Sequence, residues 1–391
     1  MLDRRELLLG AARLTLLAPC WPLALAAAPE ARFVLVILRG GLDGLAAVPP
    51  YGEPRYRALR GALALDASGG DGAAAKLDGL FALHPGLATM HRLYRAGELA
   101  IAPAVATPYR ERSHFDAQDV LEGGGAAPRQ HADGWLNRAL AELATAGARR
   151  DAVALAERVP LVLRGTFVAS GWTATRLPAA DEDTLERALA LYAAVDPAAA
   201  ARIEQALATR ALASGNDRRG GQLPALMAAA GRLLAAPGGP RVAVLEAGGW
   251  DTHANQGAAQ GPLAARLRAL DAGLAELAGA LAGEWRRTAV AIVTEFGRTA
   301  AANGTGGTDH GTAGAAFLAG GALAGGRIVG EWPGLGPRDL LEGRDLRPAL
   351  DPRSLFKGLL AGLFAMDERA LEEVVFPDSA AAPPLPDLLR A

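Results

Sequence analysis

Hydrophobic positions fall along this chain in two rhythms. Phe33-Val34-Leu35-Val36-Ile37-Leu38 is an unbroken apolar run that ends in Arg39-Gly40-Gly41. A strand buried on both faces reads this way, and such strands belong to parallel sheets. Leu99–Val105, residues 241–247 and Thr288–Thr294 repeat the pattern, the last two passing at once into polar residues. Shorter apolar runs at 161–163, 315–318 and 327–329 are candidates for further strands. The second rhythm is helical. Leu263, Leu267, Leu270, Leu274, Leu277 and Leu281 step by four and three, which lays one apolar stripe along a long helix. Residues 86–96, 185–195 and 197–212 also read as helices, with Asp196 and Pro197 as N-cap and first-turn proline. Asp351-Pro352 opens another that runs to about Met366. Residues 123–128 and 213–240 read as loops or hinges around an inserted helical portion. The alternation predicts an α/β fold: a mainly parallel sheet of at least five strands with helices on both faces.

The N-terminus changes the picture. Asp3-Arg4-Arg5-Glu6-Leu7-Leu8 sets paired arginines before an apolar run, and Ala24-Leu25-Ala26 has the small-x-small form of a cleavage site. Residues 1–26 therefore read as a twin-arginine signal peptide, with the translocase of that route as a partner and the periplasm or the medium as the destination. Arg13, Pro19 and Pro22 interrupt the run too often for a stable membrane span. Residues 27–391 are expected to form a single domain with a helical insertion around 181–235. The one cysteine, Cys20, lies inside the signal, so the mature chain needs neither disulfides nor thiolate ligands. Forty basic residues against 42 acidic ones leave a net charge of -2, which argues against nucleic acid as a partner.

Candidate chemistry collects where strands end. In open parallel sheets, ligands bind beyond the carboxyl ends of the strands. Here those ends carry Asp43, Ser113-His114, Asp251-Thr252-His253, Glu295-Phe296-Gly297-Arg298 and, in a glycine-flanked loop, Asp309-His310. Neutral imidazole and ionised carboxylate suit a divalent metal such as zinc or manganese. Asp251 with His253 is the most ligand-like pair, and Asp309-His310 comes next. Asp and Gly at strand ends also simply make turns. His84, His91 and His131 read as packing or surface residues. Ser113 reads either as a helix N-cap or as a nucleophile at the positive end of that helix, beside His114 and with Arg110 and Arg112 suited to an anion. There is no GxSxG, GxGxxG or GxxxxGK[ST] motif, so lipase-type, Rossmann and P-loop enzymes lose support.

Taken together, RGGLDGL, YRERSHFDAQD, GGWDTHANQ, VTEFGRT and GTDHGTAG resemble the secreted bacterial family catalogued as domain of unknown function 1501. The resemblance spans essentially the whole mature chain, and family members typically carry a twin-arginine signal. The family looks like a branch of the alkaline phosphatase and sulfatase superfamily, which implies an alkaline phosphatase-like fold. Carried over residue by residue, it makes Asp43 the metal ligand after the first strand and Ser113 the nucleophile. Arg112 and His114 stand beside that nucleophile in the implied catalytic set. Asp251, His253 and His310 correspond to one metal site, and Glu295 joins Asp43 at the other. The chain departs from the superfamily in two ways. Asp251 and His253 are two apart rather than four, and Glu295-Phe296 stands where Asp-His is usual, so the second metal loses a histidine.

The resemblance implies an exported, metal-dependent hydrolase of phosphate or sulfate esters, acting on an anionic small-molecule or polymer ester. Ser113 would attack phosphorus or sulfur, activated by a metal on Asp43 and Glu295, with Arg110 or Arg112, and less so Arg298, on the anionic group. The alternative is a non-catalytic periplasmic binding or assembly protein that retains the fold, and the weakened second metal site favours it. A cofactor-independent serine hydrolase lacks an oriented His–Asp pair.

Overall fold

The loops that carry Asp43, Asp251, His253, Glu295 and His310 leave β1 (Arg32–Arg39) or one of its two neighbouring strands. The β1 side chains alternate between two cores. Val34, Val36 and Leu38 enter one cluster, while Phe33, Leu35 and Ile37 enter another on the opposite face. That is the period-two geometry of a strand covered on both sides. The computed structural model describes residues 31–70, 72–145, 151–173, 182–201, 203, 204, 207 and 223–390. The twin-arginine segment and most of the second half of the 197–212 helix lie outside the described residues.

Seven further strands complete the sheet: β2 (Leu99–Val105), β3 (Ala152–Leu155), β4 (Ser170–Trp172), β5 (Val242–Gly248), β6 (Thr288–Thr294), β7 (Gly314–Ala319) and β8 (Arg327–Ile328). Their order is β8-β2-β7-β6-β1-β5-β3-β4. β7 runs antiparallel to both β2 and β6, and every other pairing is parallel. The expectation of a mainly parallel sheet with helices on both faces therefore holds. On one face lie α1 (Ala88–Arg95), α5 (Leu223–Ala235) and α6 (Pro262–Leu281); on the other lie α3 (Trp135–Thr145) and α7 (Pro352–Phe364). The α6 leucine stripe faces the core as its spacing predicts, with Leu263, Leu267, Leu270, Leu274 and Leu277 fully buried. Truncating any one of them to alanine costs about 2–5 kcal/mol. Asp351 caps α7 by accepting the Arg353 N–H at 2.9 Å, with Pro352 in the first turn.

Four elements differ from the sequence reading. Residues 161–163 form a 3-10 turn rather than a strand. The stretch 213–240, read as loop or hinge, contains α5, which packs Met227, Ala229 and Leu233 into the main core. Its alanines carry no hydrophobic stripe to announce it. β3 and β4 are too short to give a legible run. Two other helices are α2 (His114–Gly123) and the exposed α4 (Glu182–Val195). No described helix is long and apolar enough to cross a membrane.

Candidate metal centre

Parallel register builds the site. Arg39 pairs with Gly248 and Leu38 with Thr294, so the chain leaves β1, β5 and β6 at one edge of the sheet. The loops 40–43, 249–256 and 295–312 therefore meet, as expected for polar turns after parallel strands. Backbone contact holds them together. A Cβ on Gly307 would lie 2.4 Å from the His253 backbone, and one on Gly311 would lie 2.3 Å from that of Arg298. Only glycine permits this approach, which brings His310 across to Asp251 and His253. From the opposite side, the first turn of α2 delivers His114.

Three imidazoles converge on one carboxylate. His253 Nε2 lies 2.9 Å and His310 Nε2 3.1 Å from Asp251 Oδ1, and His114 Nε2 lies 3.4 Å from Asp251 Oδ2. The His253 and His310 Nε2 atoms are 3.0 Å apart. Each ring turns its other nitrogen to an acceptor. His114 Nδ1 donates to Glu295 Oε1 at 2.8 Å, and His310 Nδ1 to the Arg112 carbonyl at 3.0 Å. His253 Nδ1 faces Asp309 Oδ1 at 3.4 Å. Metal-ligating histidines are held in this way, with the outer N–H on a carboxylate or carbonyl and the inner nitrogen's lone pair facing the ion. His114 Nε2 is buried and has no hydrogen-bond partner. One ligand atom each from His114, Asp251 and His310 lies within 4.8 Å of the others, a group able to hold a metal. The donor set, imidazole with carboxylate, fits zinc or manganese.

The surroundings set the charges. Burial would raise the Asp251 carboxyl, but the Arg298 guanidinium, assisted by His253 and His310, holds it below the usual range. Burial would likewise raise Glu295, yet the hydrogen bonds from His114, the Gly40 N–H and Gln118 keep it low and ionised. The Glu295 hydrogen bond outweighs burial at His114 and raises its pKa. At His310 burial dominates, the nearby His114 adds to it, and the pKa falls. Phe296 packs against both of these rings, 4.8 Å from His114 and 5.0 Å from His310 between centroids, and gives the site an apolar wall there.

The other expected residues take distinct places. Asp43 lies at the same edge but is buried, where it pairs with Arg60, accepts Gln256 Nε2 at 2.7 Å and caps a short helix through the Ala46 N–H at 3.1 Å. The Glu295 oxygens are taken by His114, the Gly40 N–H at 2.7 Å, Gln118 at 3.2 Å and Thr294 Oγ1 at 3.0 Å. Ser113 occupies the N-cap position of α2, but its hydroxyl makes no capping bond. It meets Tyr109, whose hydroxyl also donates to Asp116 at 3.3 Å. Arg112 turns its guanidinium to Asp345 at 2.8 Å and Glu342 at 2.9 Å, away from a role on an anion. It adopts a left-handed backbone, φ 61°, a strained conformation that presents its carbonyl to His310. Arg110 donates to the carbonyls of Thr107 and Tyr109. Arg298 is buried and binds the carbonyls of Gly40, Gly41, Trp250 and Thr308 together with Asp251.

Sequence reasoning missed Arg60, Gln118 and Gln256. Gln256 Oε1 accepts Thr252 Oγ1 at 2.8 Å and Thr308 Oγ1 at 3.0 Å, so it ties both histidine loops to Asp43. Gln118 stands one helical turn beyond His114, a spacing that places both on one side of α2. Arg60 sits in an unremarkable Tyr-Arg-Ala-Leu-Arg turn that carries no signal.

The family profile described as protein of unknown function (DUF1501) matches residues 30–375. No curated protein sequence matches the chain. Similar solved structures include the C-terminal periplasmic domain of EcEptC from Escherichia coli in complex with Zn. That match has 10% identity, covers 74% of this chain and 72% of that one, and has a TM-score of 0.38. The phosphonate monoester hydrolase of Agrobacterium radiobacter matches with 11% identity, 85% and 74% coverage and a TM-score of 0.33. Ps i-CgsB in complex with k-i-k-neocarrahexaose matches with 10% identity, 88% and 74% coverage and a TM-score of 0.44.

Proposed function

The chain belongs to the DUF1501 family, and from that premise we propose that it is an exported, metal-dependent hydrolase of phosphate or sulfate esters. One observation carries the reading: three imidazoles with outer nitrogens on acceptors turn their Nε2 atoms toward Asp251. His114, Asp251, His253 and His310 would hold a single divalent cation. This assignment brings His114 into the ligand set and gives Glu295 the task of orienting it, while Asp43 braces the loops through Arg60 and Gln256. A bound divalent cation supplies Lewis-acid charge to the ester oxygens.

The chain's own groups do the remainder. Ser113, at the positive end of α2 and not spent on capping, is the nucleophile toward phosphorus or sulfur. Tyr109 orients its hydroxyl. Arg298 fixes Asp251 and so sets the position of the carboxylate. Phe296 supplies the apolar wall beside His114 and His310.

The test is metal content by elemental analysis, with hydrolysis of 4-nitrophenyl phosphate and 4-nitrophenyl sulfate with and without added zinc or manganese. Ser113→Ala should abolish turnover and keep the metal. A protein with neither bound metal nor metal-stimulated hydrolysis supports the second reading, a non-catalytic binding protein, which the locking of Asp43 onto Arg60 favours. Export has its own test: Arg4→Lys with Arg5→Lys should leave the protein in the cytoplasm, and unimpaired export would remove the twin-arginine assignment.

A further inference from the structure

We propose that two adjoining cavities beyond β3 and β5 form the subsite for the organic part of an anionic substrate, an alcohol that carries its own carboxylate. The proposal rests on the hydrolase reading for the identity of that substrate as an ester. The first cavity has a volume of about 460 Å³ and is walled by Leu223, Leu226, Ala247 and Trp250, with Glu246 and Arg266 at its polar side. The second, about 430 Å³, adds Leu155, Arg158 and Thr173 and shares Leu226 and Glu246 with the first. Each is of a size that holds a small organic ligand.

Position ties the first cavity to the metal centre. Trp250 directly precedes Asp251, and Ala247 is the penultimate residue of β5 before the site. Arg266 is seated on the bare backbone of Gly249, where a Cβ would lie 2.7 Å from its Nε. Gly249 has φ 90°, a backbone conformation that favours glycine. Two residues of chain, at most about 7 Å, separate it from Asp251. The guanidinium therefore stands at the threshold of the centre.

Charge and polarity define the occupant. Arg266 and Arg158 have no ion-pair or hydrogen-bond partner among the described residues. Glu246, the acid shared by both cavities, is already paired with Arg39, which also meets Glu122 at 2.8 Å. Glu157 lines the second cavity together with Arg158, while Arg266 lines the first, beside Trp250, and has no acidic partner among the described residues. The Trp250 indole Nε1 is buried without a partner. Apolar walls with a free, planar guanidinium suit a flat or aliphatic body that ends in a carboxylate. A neutral alcohol would leave that guanidinium unanswered.

Calorimetric titration of the full protein with 4-hydroxybenzoate, against phenol as the uncharged control, tests the site directly. Arg266→Ala should weaken 4-hydroxybenzoate binding about tenfold and leave phenol unchanged. Arg266→Glu, at an exposed position that does not threaten folding, should transfer preference to 4-hydroxybenzylamine. In turnover, Arg266→Ala should raise KM for 4-carboxyphenyl phosphate or sulfate and not for the phenyl ester. No binding of 4-hydroxybenzoate to the wild type, or equal binding to Arg266→Ala, overturns the proposal. Arg266-dependent binding without cleavage of any ester would uphold the subsite and sink the hydrolase reading alone.

Discussion

The Nε2 atoms of His253 and His310 approach to 3.0 Å with no hydrogen of either ring obliged to lie between them. His310 commits its Nδ1 proton to the Arg112 carbonyl, and His253 turns Nδ1 to Asp309. Two neutral rings so oriented would face each other with lone pairs, which is repulsive unless a proton or a metal cation sits between them. Asp251, itself paired with Arg298, lies beside both nitrogens and adds a carboxylate oxygen to the same place.

The pair therefore predicts the metal stoichiometry. Wild-type protein should bind one divalent ion per chain, and the double variant His253→Ala, His310→Ala should bind none under the same conditions. Equilibrium dialysis followed by elemental analysis measures both. Full retention of the ion by the double variant would show that the ligands lie elsewhere.

Glu295 reaches the centre through His114 and not directly. A carboxylate on the outer nitrogen of a ligating imidazole fixes the tautomer and raises the basicity of the inner one. Glu295→Gln keeps the shape and removes the charge, so metal affinity should fall about 10- to 100-fold. Competition with a chelator of known affinity reads this. Unchanged affinity would mean that the His114–Glu295 bond is only structural.

Asp43 and Arg60 form a fully buried ion pair. Removing one partner of such a pair strands the other charge in a low-dielectric interior, at a cost of about 3–5 kcal/mol. Arg60→Met should lower stability by that amount in urea denaturation, and adding Asp43→Asn should restore part of it. If Arg60→Met is as stable as the wild type, Asp43 has a second counter-charge and its bracing role is misassigned.

The sheet was legible because its central strands are buried on both faces, as Phe33 through Leu38 show, and a continuous apolar run has few other readings. α5 was hidden because Ala228, Ala229 and Ala230 bury well without standing out from their neighbours, and alanine serves surface and core alike. The edge of the site was legible too, since Asp251, His253, Glu295 and His310 all follow strands that share a direction. Partnership was not. Nothing in the spacing of Asp43 says that Arg60, 17 residues on, will take its carboxylate, or that Arg112 will turn its carbonyl inward and its guanidinium away. Such assignments depend on backbone conformation, here the left-handed φ at Arg112, which the residue type disfavours.

His84 gives the chain a stability that depends on pH. The ring is buried, its Nε2 donates to the Ala258 carbonyl at 2.9 Å, and its Nδ1 accepts the Gly86 N–H at 2.9 Å. The bond from Gly86 requires the neutral Nε2–H tautomer. Protonation at Nδ1 would break the Gly86 bond and place a charge in the core. Burial accordingly lowers the His84 pKa from the ordinary 6.5, and Arg268 adds to the effect. With the folded value depressed, the unfolded chain binds the proton first as pH falls through the ordinary histidine range. Stability is therefore complete above that range and is lost below it. Between pH 7.5 and 5.5 the wild type should lose more stability than His84→Asn. Urea midpoints for the two proteins at each pH give the difference. Parallel pH profiles would mean that the folded protein accepts the proton at His84 as easily as the unfolded chain.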